Sequence, residues 1–325
     1  MERQGIMKAL TAPMQQLGEF EEILRKIRTN RGVLQVSGCI DPQKPHFISC
    51  AAEGYDCRLI ITYSDLRARE LYENYRFFDR DVLYFPAKDL IFFQADIHSN
   101  LLEQQRIAVL KALAERKNVT VITTMAACMN HLMPSEIWQK QVLTFAPGDV
   151  LDMEAMKSTL VQLGYERTAQ AEGPGQFAIR GGILDVYPLT EENPVRIELW
   201  GDEVDSIRSF DAESQRSLEN LDEISIYPAV EWADGKKMVC FADYFPREKM
   251  LLFLDEPNRI LENGLGVEQE YQQSRMHREE KGEQDLPVQW LCEFSKVQKE
   301  LNKCQAVSLS ALEPRGVEWN FAPEK

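Results

Sequence analysis

Basic residues are in short supply: 37 Lys+Arg stand against 52 Asp+Glu, a formal charge of -15 over 325 residues. Such a chain repels a phosphate backbone unless its cations are strongly segregated, which excludes nonspecific nucleic-acid binding by the chain alone and favours a protein partner. Long apolar runs are absent too. No stretch approaches the ~18 apolar residues of a membrane span, and Met1–Gly5 opens without the apolar core and cleavage site of an export signal. A cytoplasmic location is expected. The seven cysteines (39, 50, 57, 128, 240, 292 and 304) form no Cys-x-x-Cys pair, and an odd count does not suit a disulfide framework, so reduced thiols are expected. His98 and His131 fall near Cys128 without zinc-ligand spacing, and no metal site is expected there.

A complete phosphate-binding loop is also missing. It needs Gly, four residues, then Gly-Lys-Ser/Thr, so that backbone N–H groups wrap the phosphates, the Lys meets them and the hydroxyl holds Mg²⁺. The frame Gly38-Cys39-Ile40-Asp41-Pro42-Gln43-Lys44-Pro45 keeps Gly38 and Lys44. Gln43 replaces the second Gly, Pro42 removes a donor, and Pro45 offers no hydroxyl. Downstream, Met250–Leu254 followed by Asp255-Glu256 has the form of an ATPase strand with its acidic pair. Without the loop it reads as a core strand ending at an acidic turn. No catalytic residue and no cofactor are expected.

What remains is ordinary globular composition, 44% apolar and 27% charged, in a chain long enough for more than one core. Leu17, Phe20, Ile23, Leu24 and Ile27 share a helical stripe that must dock on something. Strands are expected at 33–36, 59–63, 81–86 and 119–124. Helices are expected at 65–77 and from Ser99 or Asn100 to Arg116, the latter with Glu103 in capping-box position. This alternation predicts a parallel α/β domain over about 32–135. The aromatics Tyr84, Phe85, Phe92 and Phe93 read as core rather than as base-stacking groups. A helix over 152–163, ended by Gly164, then leads into a sheet, giving a small α+β domain over about 136–228. The charged segment 262–281 reads as a solvated helix or loop.

The sheet occupies Glu172–Ala229, where short apolar runs alternate with polar residues and break at Gly173-Pro174-Gly175, Glu192-Asn193-Pro194 and Gly201-Asp202, an antiparallel pattern. If Val195, Ile197 and Leu199 face the core, Arg196, Glu198 and Trp200 share the other face. Residues 136–228 carry 7 Lys+Arg against 18 Asp+Glu, a net of -11, yet Arg167, Arg180, Arg196 and Arg208 lie on or beside this sheet. Such a face can be solvated Arg–Glu pairs, worth ~0.2–1 kcal/mol each, or a surface whose guanidinium forks anchor a partner's carboxylates. The residues alone leave both open.

Longer blocks carry a resemblance. Arg180-Gly181-Gly182-Ile183-Leu184-Asp185-Val186-Tyr187-Pro188, then Arg196 through Asp211 and Ser214-Gln215-Arg216, resemble the N-terminal region of the bacterial transcription-repair coupling factors, the Mfd family, and more distantly UvrB. Tyr84-Phe85-Pro86-Ala87-Lys88-Asp89 and Ala95-Asp96-Ile97-His98 are similar to the same family. The resemblance implies a degenerate helicase-like parallel α/β domain with an inserted α+β domain. Domain 1A would span 32–135, a UvrA-binding domain 2 would span 136–228, and domain 1B would comprise 1–31 and 229–325. It implies contact residues Arg167, Arg180, Arg196 and Glu198, with Ala178 standing where UvrB has a further arginine. It implies that Gly38, Lys44, Asp255 and Glu256 are remnants of a nucleotide site that UvrB keeps intact.

The function it implies is recruitment of UvrA to stalled transcription for nucleotide excision repair, by a fragment that is not itself an enzyme. The RNA polymerase-binding domain, an ATP- and Mg-dependent DNA translocase motor, and a C-terminal domain that masks the UvrA surface would belong to a longer parent. Alternatives from other classes are a residual nucleotide-binding module using Lys44 and Asp255, and a UvrB-like DNA-binding module.

Overall fold

The computed structural model describes residues 12–14, 16, 18–29, 32–88, 100–115, 118–231, 238–281 and 291–312. In chain order its strands are β1 Val33–Ser37, β2 Cys57–Thr62, β3 Leu83–Phe85, β4 Val119–Thr124, β5 His131–Leu132, β6 Leu143–Phe145, β7 Glu166–Arg167 and β8 Gln176–Arg180. There follow β9 Ile183–Val186, β10 Val195–Trp200, β11 Glu203–Phe210, β12 Ser217–Asn220, β13 Ile224–Ile226, β14 Val239–Cys240, β15 Met250–Asp255 and β16 Gln305–Ser310. By contacts the chain divides into two compact units, one drawn from 1–94, 115–132 and 239–325, the other from 95–114 and 133–238.

The first unit is built on a six-stranded sheet in the order β1-β16-β15-β2-β4-β3, every neighbouring pair parallel. Its strands are apolar runs because parallel strands are covered on both faces. All six residues of β15 and all six of β4 are buried. The helix Asp65–Tyr75 starts where the Ser64 side chain accepts the Arg67 N–H, and it buries Ala68, Leu71 and Tyr75. The expected N-terminal stripe forms the helix Gly18–Thr29, which sets Phe20 and Ile27 into the core. Tyr84 and Phe85 are core residues, Phe85 stacked on Phe241 at 3.8 Å. Phe92, Phe93, His98, Asp89 and the block 95–98 lie outside the described residues. The segment 262–281 belongs to the helix Pro257–Glu280, which buries Pro257, Ile260 and Gly264.

Most of the stretches 32–135 and 229–325 share this one unit. β15 and β16 insert between β1 and β2, where both edges of each strand are paired and all of their residues but Gln305 are buried. The helix Asn100–Ala114 joins the second unit instead of the first. Its fully buried Arg106 fixes it there by a two-point hydrogen bond to Glu231, 2.7 Å from Nε and 2.8 Å from Nη2.

The second unit carries a six-stranded sheet in the order β12-β11-β10-β9-β8-β7. It is antiparallel as expected, except that the edge pair β7–β8 is parallel. The helix Met153–Gln162 begins at Asp152, whose side chain accepts the N–H groups of Glu154 and Ala155. It packs Met156 and Leu160 onto Phe177, Leu184, Val186, Val195, Ile197, Val204 and Ile207, the apolar face of the sheet. All seven cysteines are buried and unbonded to one another by disulfides. Among the described residues no helix is long and apolar enough to cross a membrane.

Candidate functional site

The period-two alternation of β10 puts Val195 and Ile197 into the core and Arg196 and Glu198 on the opposite face. Register then decides who meets whom. Arg196 stands opposite Asp185 on β9 and opposite Arg208 on β11, while Glu198 stands opposite Ile183 and Ser206. Two arginines face to face across strands would repel. Each is instead given its own carboxylate. Asp185, almost wholly buried, accepts from Arg196 Nε at 2.6 Å and Nη2 at 2.9 Å, and from Arg180 Nη2 at 2.7 Å. Glu198 accepts a fork from Arg208 at 2.8 and 2.6 Å, and the Ser206 hydroxyl at 3.2 Å.

Arg196 is further held by Gln215 Oε1 at 3.0 Å, and its guanidinium carbon lies 4.5 Å from the centre of the buried Phe210 ring. Arg180 is freer: one nitrogen reaches Asp185, and the side chain is 46% exposed at the mouth of the β8–β9 turn. Ala178 lies opposite Asp185, and its small side chain leaves that carboxylate to the two arginines.

Three of the four expected contact residues are therefore brought together: Arg180, Arg196 and Glu198. Arg167 is not. It pairs in register with Phe177, a core residue, so it belongs by parity to the apolar side of the edge strand β7, where it is exposed. The sequence reading set Arg208 on or beside the sheet without counting it a contact residue, and it missed Asp185, Phe210 and Gln215 as parts of the face. Period two along β9 would have found Asp185, which falls on the same side as Ile183, away from Leu184 and Val186.

The remnant nucleotide frame is filled from within. Gly38 turns the chain at φ +81°, after β1, and the helix Lys44–Ala51 follows. Lys44 is fully buried, its Nζ 2.6 Å from Asp255 Oδ1, 2.7 Å from Glu256 Oε1 and 2.9 Å from Asp41 Oδ1. An ammonium has three N–H donors, and three carboxylates surround it. Asp255 also accepts from Thr62 Oγ1 at 2.9 Å and Arg67 Nε at 3.0 Å. Glu256, at φ +60°, sends its side chain back to accept the Ala311 N–H at 2.8 Å.

Burial alone would lower the Lys44 pKa, but Asp255 and then Glu256 and Asp41 more than reverse this, holding it above the ordinary lysine value. Burial works to raise Asp41. Lys44 and Arg67 outweigh it and leave Asp41 below the usual carboxylate value. Oxygens of Asp41, Asp255 and Glu256 lie within 4.8 Å of one another, a spacing that would suit a cation. The cation there is the protein's own.

Comparison with known proteins falls on the sheet-bearing part of the chain. Residues 143–232 match the UvrB interaction domain family. The transcription-repair-coupling factor of Bacillus subtilis (strain 168) is 44% identical over 153 residues, covering 47% of this chain and 13% of that protein. That of Staphylococcus aureus (strain Mu50 / ATCC 700699) is 36% identical over 183 residues, covering 56% of this chain and 16% of that protein. The matched stretches thus span well under a fifth of these relatives. They bear out the resemblance to transcription-repair coupling factors.

Proposed function

We propose that this chain is the UvrA-recruiting region of a transcription-repair coupling factor and does no chemistry of its own. The observation that carries this reading is the ordered arginine face. One buried carboxylate, Asp185, orients both Arg180 and Arg196, so the entropy of fixing two long side chains is already met before a partner arrives. Arg196 spends Nε and Nη2 on Asp185 and Gln215, whereas Arg180, held through one nitrogen and 46% exposed, keeps N–H groups that suit two-point recognition of a carboxylate. It does so on a sheet domain that is otherwise strongly acidic. The family match at 143–232 covers this face and supports UvrA as the protein that reads it.

The first unit would then serve as a scaffold. The committed donors of Lys44 argue against a working nucleotide site, and the charge of -15 argues against DNA as a direct ligand. In a longer parent, an ATP-driven DNA translocase acting on stalled RNA polymerase would supply the motion, with this region bringing UvrA to the site from the cytoplasm.

The test is binding of purified UvrA to the wild-type chain and to Arg180→Glu, with folding checked by circular dichroism. Reversing the charge of the freer arginine should weaken binding by at least tenfold, since truncating a charged contact at an interface costs about 2 kcal/mol or more. Unchanged affinity would remove Arg180 from the contact, and absence of binding by the wild type would overturn the reading.

A further inference from the structure

Two thiols with no part in the docking face meet inside the first unit. Cys240 and Cys292 come from opposite ends of the stretch 240–292, and one short segment positions both. β14 pairs antiparallel with β5, which sets Cys240 opposite His131. Leu291 bridges Asn130, and the Cys292 N–H donates to the Met129 carbonyl at 2.7 Å. The Cys240 N–H donates to Asp243 Oδ2 at 3.0 Å, which opens the 3-10 turn Phe241–Tyr244, and the helix Phe294–Leu301 packs against that turn. The two cysteine side chains are thereby hydrogen-bonded to each other. They are sealed from solvent, at 0% and 1% exposure.

A buried thiol ordinarily resists ionisation, and burial pushes up Cys39, Cys57 and Cys50, the last to about 11. Cys240 goes the other way. The hydrogen bond with Cys292 holds it below the ordinary thiol value against its own burial; the Lys296 ammonium assists, and the Asp243 and Glu300 carboxylates oppose. Cys292 is pushed up, by the same hydrogen bond first and by burial next. One thiol is set to ionise and its neighbour to keep the proton. Among the described residues, the group of three or more ligand atoms close enough for a metal is at Asp41, Asp255 and Glu256, away from this pair. Two thiols without further ligands suit a disulfide better than zinc.

We propose that Cys240 and Cys292 are an oxidation site, a dithiol that hydrogen peroxide closes into an intrachain disulfide. The Cys240 thiolate attacks one peroxide oxygen, so that an S–O bond forms, the O–O bond breaks, and the leaving hydroxide takes up the proton that Cys240 released. The Cys292 sulfur then attacks the sulfenic sulfur. An S–S bond forms, the S–O bond breaks, and the departing hydroxide leaves as water with the Cys292 proton. Two thiols lose two electrons, and the peroxide that gains them becomes two waters. Burial selects the oxidant. A molecule as small as peroxide enters through local opening at the two-residue strand β14, whereas a bulky disulfide such as oxidised glutathione needs a far larger opening. The bridge would tie β14 to the start of the helix Phe294–Leu301 and close a loop containing β15, which lies between β16 and β2 in the sheet. It belongs to the first unit and stands apart from the UvrA reading.

The experiment exposes the purified chain at neutral pH to hydrogen peroxide or to oxidised glutathione, alkylates the remaining thiols in denaturant, and maps the digest by mass spectrometry without reduction. Peroxide should remove two of the seven thiols as a joined Cys240–Cys292 peptide, about tenfold faster than it oxidises Cys50, and dithiothreitol should restore both. Oxidised glutathione should form the same bridge at least about tenfold more slowly. Cys292→Ser, checked for folding by circular dichroism, should stop at a sulfenic acid on Cys240 that dimedone traps, and Cys240→Ser should form no bridge. A disulfide through another cysteine, loss of Cys50 as fast as Cys240, or sulfinic acid on Cys240 without a bridge to Cys292 would overturn the proposal. The wild-type map decides between these outcomes even where a serine variant fails to fold.

Discussion

Replacing Lys44 with Met tests whether the remnant nucleotide frame is a structural ion cluster. The substitution keeps the volume of the side chain but removes the ammonium at the centre of Asp41, Asp255 and Glu256. Breaking a buried pair by deleting one partner typically costs about 3–5 kcal/mol, because the other charge is left uncompensated. Two features place this case at the low end. Asp255 keeps Arg67 and Thr62, and Asp41 and Glu256 are 50% and 23% exposed, so water reaches both. A loss of about 3 kcal/mol in the first unit follows.

Hydrogen exchange reads that unit alone: amides in β15 and β16 that exchange only by opening the whole sheet should exchange roughly 100-fold faster in Lys44→Met. The pH dependence has a definite sign. Lys44 is raised above its unfolded value, so its contribution is complete below about pH 10.4 and is lost only as pH rises through the higher folded value. Asp41 is lowered, so its contribution is present above about pH 3.9 and is lost as pH falls through the lower folded value. In Lys44→Met the acid-side loss should shrink, since carboxylates without their ammonium gain from protonation. Exchange within threefold of wild type, or saturable ATP binding by the wild type that Lys44→Met abolishes, would refute the reasoning.

Two further outcomes follow from the geometry. Asp185→Asn should leave Arg180 and Arg196 without their shared anion, weakening UvrA binding by on the order of tenfold and steepening its salt dependence; a titration at two ionic strengths measures both. Gly264→Ala should destabilise the first unit by about 1–3 kcal/mol. The added Cβ would fall 2.4 Å from the Phe294 ring and 2.9 Å from Met125, and a lowered melting temperature of that unit would register it.

Much of the docking face was legible because a strand's period of two needs no distant information. Val195, Ile197 and Leu199 sorted from Arg196, Glu198 and Trp200 by alternation alone, and the structure keeps that sorting through the bulge beside Glu198. Arg167 was not legible, since a two-residue strand has no period and its parity is set only by pairing with Phe177. Phe210 hid for another reason. It is an apolar residue on the polar face, buried beneath the Arg196 guanidinium, and apolar residues read as core-facing unless a stacked cation is known. At the remnant frame, the missing loop residues were plain from sequence. That Lys44, Thr62 and Arg67 would all converge on Asp255 was not, because the shortest of these separations is 188 residues and no local pattern encodes it.

The placement of β16 has a consequence for how the protein is made. β1 leaves a ribosome early, but the partner that satisfies its backbone is β16, with Val33 set against Ala306. Until residue 310 has emerged, β1 and one edge of β15 wait unpaired, and open strand edges are where nascent chains misassociate. The strands of the docking sheet, all within residues 166–220, are complete long before that. Synthesis therefore delivers the recognition sheet first and the sheet of the supporting unit last, and a chain cut short of residue 305 would keep its docking strands while losing the neighbour of β1.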